Sequence, residues 1–144
     1  MKMKAIVGSA MALALGFGCA AHAGTDSYSP PERIHCHLDD ANQLSCDKFD
    51  RTFLVEDGYN LNVPKNQDVV LAFRSAAAYF NTNKDTASVF FTYGPANSYV
   101  KLRTTVSNMG PDVENNKNWS RLDNSRYIYK CTNSYMSCSI KKLG

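Results

Sequence analysis

Two histidines on either side of a cysteine are the residues whose types and spacing most readily suggest chemistry. His35 and His37 stand two positions apart, so on a β-strand their side chains point to the same face. Two imidazoles in that arrangement could hold copper or zinc if Asp39 or Asp47 supplied a carboxylate. The same spacing is also typical of surface histidines beside a disulfide. Metal binding at His35 and His37 is therefore kept as an alternative hypothesis.

A catalytic histidine would have to be one of these two, because the only other one, His22, lies in an N-terminal segment that we expect to be removed. A Ser-His-Asp or Cys-His arrangement also needs a nucleophile that the fold places beside the histidine. The chain contains neither a nucleophile elbow nor a glycine-rich phosphate loop. We therefore expect a protein that is not an enzyme and that uses no cofactor, and a hydrolytic enzyme is kept as a reserve alternative.

The N-terminal segment 1–23 has the three parts of a secretory signal peptide. Lys2 and Lys4 are followed by an apolar run and then by Ala-His-Ala, which predicts cleavage before Gly24. Lipid attachment at Cys19 is not expected, since a lipoprotein signal usually has Leu three positions earlier. No later run approaches the roughly 20 apolar residues of a membrane span. We expect a periplasmic or secreted protein without a transmembrane segment.

Removal of this segment leaves four cysteines, an even number that suggests disulfides in an oxidising compartment. We favour the pairs Cys36–Cys46 and Cys131–Cys138, because each pair brackets a predicted turn. The rival pairing, which joins the first region to the last, stays open. Spacings of ten and seven residues do not match the paired ligands of a zinc site.

The remaining charge is nearly balanced, with 14 basic and 13 acidic residues after position 23. Judged on total charge, that balance argues against a polyanion as a partner, and against nucleic acid in particular. The segment 99–144 is basic, with 8 basic and 3 acidic residues, but neighbouring acidic strands are expected to neutralise it. The alternative is a basic face formed by Lys101, Arg103, Arg121, Arg126, Lys130, Lys141 and Lys142.

The clearest structural pattern is a β-hairpin over 89–106. Apolar and polar residues alternate through 99–106, and Val89, Phe91 and Tyr93 share one face of the first arm. Gly94 and Pro95 lie between the two arms, as is typical of a longer hairpin turn. We expect this hairpin to lie at the centre of the sheet.

The rest of the chain predicts further short strands joined by turns. Residues 32–38 and 43–49 form a hairpin in which Cys36 faces Cys46; 52–55 is a third strand; 68–80 is read as a strand bent near Ser75, although its alanines would also suit a helix. A last hairpin pairs 126–131 with 138–143. The segments 24–31, 57–68 and 108–118 are expected to be irregular.

Together these elements predict a single all-β domain over 24–144. The expected fold is a small antiparallel sandwich or barrel of about six to eight short strands, held by two local disulfides.

Aromatic residues supply the candidate recognition surface, because tyrosine offers a large, stiff contact area with a polar tip. The turn 94–99 and the turn that holds Tyr135 are the places where we expect it. The candidate residues are Tyr93, Asn97, Tyr99, Trp119 and Tyr135.

The leading functional hypothesis is an exported binding protein that contacts a protein or a glycan of the cell envelope or of a host. Metal binding through His35 and His37 is the first alternative. The second is an inhibitor of a cell-wall hydrolase, since small exported β-barrels that inhibit lysozyme share this size, the disulfides and the export signal. No residue run here matches their inhibitory loop, so the resemblance is one of architecture.

Overall fold

The structure is a computed structural model that describes residues 27–47, 49–106, 108–113, 117–122, 124–132 and 134–143. The predicted signal peptide over 1–23 and Cys19 lie outside these ranges. Within them, no helix has the length and apolar character needed to cross a bilayer.

Short antiparallel strands make up nearly all of the regular structure, which confirms the all-β prediction. The described residues form eleven strands and one 3-10 helix, Tyr135–Ser137. The strands are β1 (Ser27–Tyr28), β2 (Arg33–Leu38), β3 (Leu44–Cys46), β4 (Leu54–Asn60), β5 (Gln67–Phe80), β6 (Ala87–Tyr93), β7 (Tyr99–Thr104), β8 (Met109–Pro111), β9 (Ser120–Arg121), β10 (Ile128–Cys131) and β11 (Ile140–Lys142).

The strands form two antiparallel sheets with a half-barrel arrangement. The larger sheet has eight strands, in the order β3-β2-β5-β6-β7-β4, and β10 joins it by pairing with β5 while β9 pairs with β10. The smaller sheet has the order β1-β11-β8. The hairpin β6–β7 lies inside the larger sheet, as predicted.

The long strand β5 is the element on which the larger sheet is assembled. β2 pairs with its first half and β10 with its second half. Its pairing with β6 shifts by one residue between Phe73 and Ser75, which leaves Arg74 as the extra residue of a β-bulge. The bulge changes which positions face the core, from Leu71 before it to Ala76 after it. Both the strand and the bend near Ser75 are confirmed.

Both disulfides have the predicted pairing. Cys36 lies directly opposite Cys46 in the β2–β3 hairpin, with Leu38 opposite Leu44. The second disulfide joins Cys131, at the end of β10, to Cys138, which follows the 3-10 helix. It therefore connects a strand of the larger sheet to the segment that enters the smaller one.

A single hydrophobic cluster connects the two sheets. The ring of Trp119 is buried, and its Nε1 donates a hydrogen bond of 2.8 Å to the carbonyl oxygen of Ser139. The largest fully buried side chains come from both sheets and include Ile34, Leu54, Phe91, Tyr93, Leu102, Met109 and Ile140.

Three segments that were expected to be irregular contain strands. Gly58 lies in β4, which passes through a bulge and pairs with β7 along its whole length. Pro30, in the predicted flexible lead-in, is fully buried, and β1 just before it pairs with β11. The predicted loop 108–118 contains β8, whose three residues are all buried. Turn-forming residues suggested loops here, and tertiary pairing overrides that local preference.

The predicted final hairpin is wrong. β10 and β11 do not pair with each other, because β10 joins the larger sheet beside β5 and β11 joins the smaller sheet between β1 and β8. The 3-10 helix and the disulfide between them redirect the chain from one sheet to the other.

Candidate functional site

An open groove of about 690 Å³ crosses the outer face of β10, β5, β6 and β7. We call it the basic groove. Its lining residues are Arg74, Ser75, Ala77, Tyr79, Ser88, Phe90, Thr92, Ala96, Tyr99, Lys101 and Lys130. This volume falls within the range of ligand-binding clefts in proteins.

Strand register brings these side chains together. Lys130 on β10 lies opposite Ala77 on β5, and Ala77 lies opposite Phe90 on β6. In the next row, Ser75 lies opposite Thr92, which lies opposite Lys101 on β7. Successive residues alternate between the two faces of a strand, so these positions share the face away from the core.

Short and long side chains both line the groove. Ser75 on β5 and Ser88 on β6 are short, and the strands on either side contribute the long side chains of Lys101 and Lys130. The central strands contribute large side chains as well, among them Phe90.

Phe90 forms the apolar part of the floor. The ring of Tyr79 meets it edge-on, with ring centroids 5.8 Å apart. The Nζ of Lys101 lies 5.6 Å from the centroid of the Phe90 ring, within the range of a cation–π interaction. An aromatic surface and a positive charge are thus presented side by side.

Arg74 reaches the groove because of the bulge in β5. Its Nε donates a hydrogen bond of 2.7 Å to the carbonyl oxygen of Gly94, at the start of the β6–β7 turn. Gly94 has a φ of +96°, a conformation that favours glycine. The contact positions the guanidinium group and leaves its two terminal nitrogens as further donors.

The described lining of the groove has a positive charge. It includes three basic side chains and no acidic one. Among the described residues, ion pairs form elsewhere, between Arg103 and Asp57 at 3.0 Å and between Lys141 and Asp112 at 3.5 Å. Three neighbouring cations attract an anionic group to this face.

Comparison with known proteins gives no guide to this site. No protein-family model, curated protein or solved structure matches the chain. Its function has to be argued from the groove itself.

The predicted recognition residues are divided between the groove and the core. Tyr99 lines the groove, and Asn97 is exposed in the adjoining turn. Tyr93 and Trp119 are buried, so their proposed place on a recognition surface is corrected. Tyr135 is half-buried in the 3-10 helix and is not among the groove residues.

The burial of Tyr93 has a specific cause. Tyr93 occupies the same face of β6 as Phe91, which is the core face, and its hydroxyl donates a hydrogen bond of 2.7 Å to the carbonyl oxygen of Pro31. Burial raises the pKa of this hydroxyl strongly, and the nearby Tyr28 raises it further. Tyr93 therefore acts as a core residue with a satisfied polar tip.

Sequence reasoning missed most of the groove. Lys101 and Lys130 were members of the alternative basic face, whereas Arg74, Tyr79 and Phe90 were not singled out. Phe90 did have a signal, since it shares with Ser88 and Thr92 the face of β6 opposite Val89 and Phe91, although that face was expected to be covered. No sequence pattern indicated that Arg74 lines the groove, because its placement there depends on the β-bulge in β5.

The two histidines form a separate cluster at the start of β5. The Nδ1 of His37 lies 2.5 Å from Oδ1 of Asp68, directly opposite it in the sheet. His35 has its Nε2 3.5 Å from Oδ2 of the same carboxylate and its Nδ1 3.7 Å from Asp47. The hydrogen bond with His37, aided by the charges of both imidazoles, lowers the pKa of Asp68.

This cluster was expected to use Asp39 or Asp47 as its carboxylate. Asp39 instead accepts a hydrogen bond of 2.8 Å from the backbone N–H of Gln43 in the β2–β3 turn. Among the described residues, no group of three or more His, Cys, Asp or Glu side chains has an arrangement that could hold a metal ion. Metal binding at His35 and His37 stays a prediction.

Proposed function

We propose that this chain is an exported binding protein that acts through the basic groove, by contacts with a protein or a glycan of the cell envelope or of a host. The observation that carries the proposal is the groove lining, which combines three basic side chains with the exposed ring of Tyr79, the half-buried rings of Phe90 and Tyr99, and no acidic side chain. Such a lining recognises ligands by charge and by ring contact.

The rest of the molecule supports a role in binding outside a reducing compartment. Two disulfides are typical of proteins that work in oxidising surroundings. The groove lies on paired strands within the larger sheet, and a rigid scaffold of this kind holds recognition groups in fixed positions.

A set of charge variants tests the proposal. The groove variant R74Q/K101Q/K130Q removes three positive charges, and the control variant R51Q/K65Q/K142Q removes three exposed charges outside the groove. Each purified protein is immobilised and exposed to an envelope extract, and the retained proteins and glycans are quantified. Thermal unfolding checks that both variants remain folded.

We expect the wild type and the control variant to retain the same component and the groove variant to lose it. A third variant, R74K/K101R/K130R, keeps the charges and should restore retention. Equal retention by the groove variant, or no specific retention by the wild type, would contradict the proposal.

A second candidate function is metal binding at His35 and His37. The observation in its favour is that the carboxylate of Asp68 contacts both imidazoles, although these three side chains do not have the arrangement of a metal site by themselves. Copper and zinc titrations of the wild type and of H35A/H37A test it. Binding that is lost in the variant supports the candidate, and identical curves exclude it.

A further inference from the structure

The arrangement of charges and rings in the basic groove carries an inference about the chemistry of its ligand, which rests on the proposed function. We propose that the groove binds an acidic polysaccharide, a chain of sugars that bear carboxylates, laid across β10, β5, β6 and β7. The spacing of the cations, the groups between them and the hydrogen bonding of the backbone under the groove support this ligand class.

The cations are spread along the groove rather than gathered at one point. Lys130 lies on β10 and Lys101 on β7, with β5 and β6 between them. Three strand spacings separate their backbones by about 14 Å, and Arg74 lies on the intervening β5. This spread suits repeated charges along a chain better than a single small anion.

The surface between the cations suits sugar rings. Phe90 and Tyr99 present aromatic rings, and Ser75, Ser88 and Thr92 present hydroxyls that can donate and accept hydrogen bonds. The apolar face of a sugar ring can lie on an aromatic ring, while its hydroxyls meet polar groups. A polysaccharide uses both kinds of contact.

The backbone under the groove argues against an extended peptide. β5 pairs with β2 and β10 along one edge and with β6 along the other. β6 pairs with β5 and with β7. Their N–H and C=O groups are engaged in the sheet, so a peptide cannot add a strand there by main-chain hydrogen bonds. Recognition on this face depends on side chains.

The charge of the whole chain argues against nucleic acid. After position 23 the chain has 14 basic and 13 acidic residues, whereas nucleic-acid binding uses many phosphate contacts. The groove itself has three basic side chains. That number suits the lower charge density of a carboxylated glycan.

The test measures binding of a hexamer of galacturonate by calorimetry at low salt. The matched ligand is its methyl ester, which keeps the sugar chain and removes the charges. Hexaglutamate and a short oligothymidylate represent the acidic peptide and the nucleic acid. The proteins are the wild type, R74Q/K101Q/K130Q, the control R51Q/K65Q/K142Q, and F90A.

We expect the wild type and the control variant to bind the galacturonate hexamer, with an affinity that falls as salt rises. Loss of three ionic contacts should weaken binding by about tenfold or more in the groove variant. F90A should weaken binding of the hexamer and leave the salt dependence unchanged. The methyl ester should bind at least about tenfold more weakly than the acid.

Equal binding of hexamer and ester, tighter binding of hexaglutamate or oligothymidylate, or no binding of the hexamer would overturn the inference. The proposed function is tested by a different experiment, and it fails if the groove variant retains the same envelope component as the wild type. Loss of that component together with no uronate binding would leave the groove as a binding site for another class of ligand.

Discussion

At the scale of single residues, Asp68 shows how the fold gives a side chain a property that its sequence neighbours do not suggest. It lies 31 positions from His37 in the chain and hydrogen-bonds to it across β2 and β5. The sequence drew attention to the two histidines, but only strand pairing identifies their carboxylate partner.

Asp68 should make the stability of the protein depend on acidic pH. Its pKa is lowered by folding, so it stabilises the folded state above the ordinary carboxyl pKa of about 4. That contribution is lost as the pH falls below about 4 and passes through the lowered pKa. We expect D68N to unfold at a lower temperature than the wild type at pH 6, and the difference to shrink towards pH 2.

Thermal unfolding of both proteins across this pH range measures the effect. The control E56Q changes an exposed carboxylate on β4 and should keep the pH dependence of the wild type. A constant difference between D68N and the wild type at all pH values would show that the hydrogen bond with His37 is not coupled to the charge of Asp68.

At the scale of elements, the β6–β7 turn beside the groove has a position at which the backbone requires glycine. A Cβ on Gly94 would collide with the carbonyl oxygen of Ser98 and would lie 3.0 Å from Leu71. The residue also has a positive φ, which disfavours alanine. G94A should therefore lower the free energy of unfolding by more than about 1 kcal/mol.

Gly58 provides the matched control for this substitution, because a Cβ there meets no atom within 4 Å. G58A should change the free energy of unfolding by less than about 0.5 kcal/mol. Denaturant unfolding measures both variants. Equal effects would show that the conformation of Gly94 is not required by the turn.

The second disulfide is the covalent link at the change of sheet between β10 and β11. In the chain-entropy model, closing a loop of this length stabilises the folded state by about 2–3 kcal/mol. We expect C131A/C138A to lose that amount in guanidinium unfolding while keeping the β-type circular dichroism spectrum. No change in the unfolding midpoint would contradict the stabilising role of this link.

Local patterns predicted some elements and failed at others for identifiable reasons. The β6–β7 hairpin and the Cys36–Cys46 register follow from alternation and turn residues, which are local. β8 and β1 are short, contain proline or serine, and exist because β11 lies between them. The basic groove depends on the bulge at Arg74 and on β10 pairing with β5, neither of which a local pattern records.

At the scale of the whole molecule, charge distribution matters more than net charge. The mature chain was expected to neutralise its basic second half, and Arg103 and Lys141 do pair with acidic residues. Among the described residues, no ion pair of Lys101 or Lys130 is present, and the groove lining has no acidic residue. A nearly neutral protein thus retains a local positive surface.

Export concerns the whole chain. It is predicted from the signal-peptide pattern of residues 1–23. Mass spectrometry of the protein isolated from its native cells should show an N-terminus at Gly24 and no acyl group. A full-length chain, or a chain that begins with a lipid-modified Cys19, would contradict the predicted route.

The central claim, that the basic groove is the surface through which the protein binds its partner, is tested most directly by photo-crosslinking. A photoreactive residue is placed at Ala96, which is exposed and lines the groove, or at Met136, which is 66 % exposed and lies outside it. The account predicts a specific adduct with an envelope component from position 96 and none from position 136. Adducts of equal yield from both positions, or none from position 96, would contradict it.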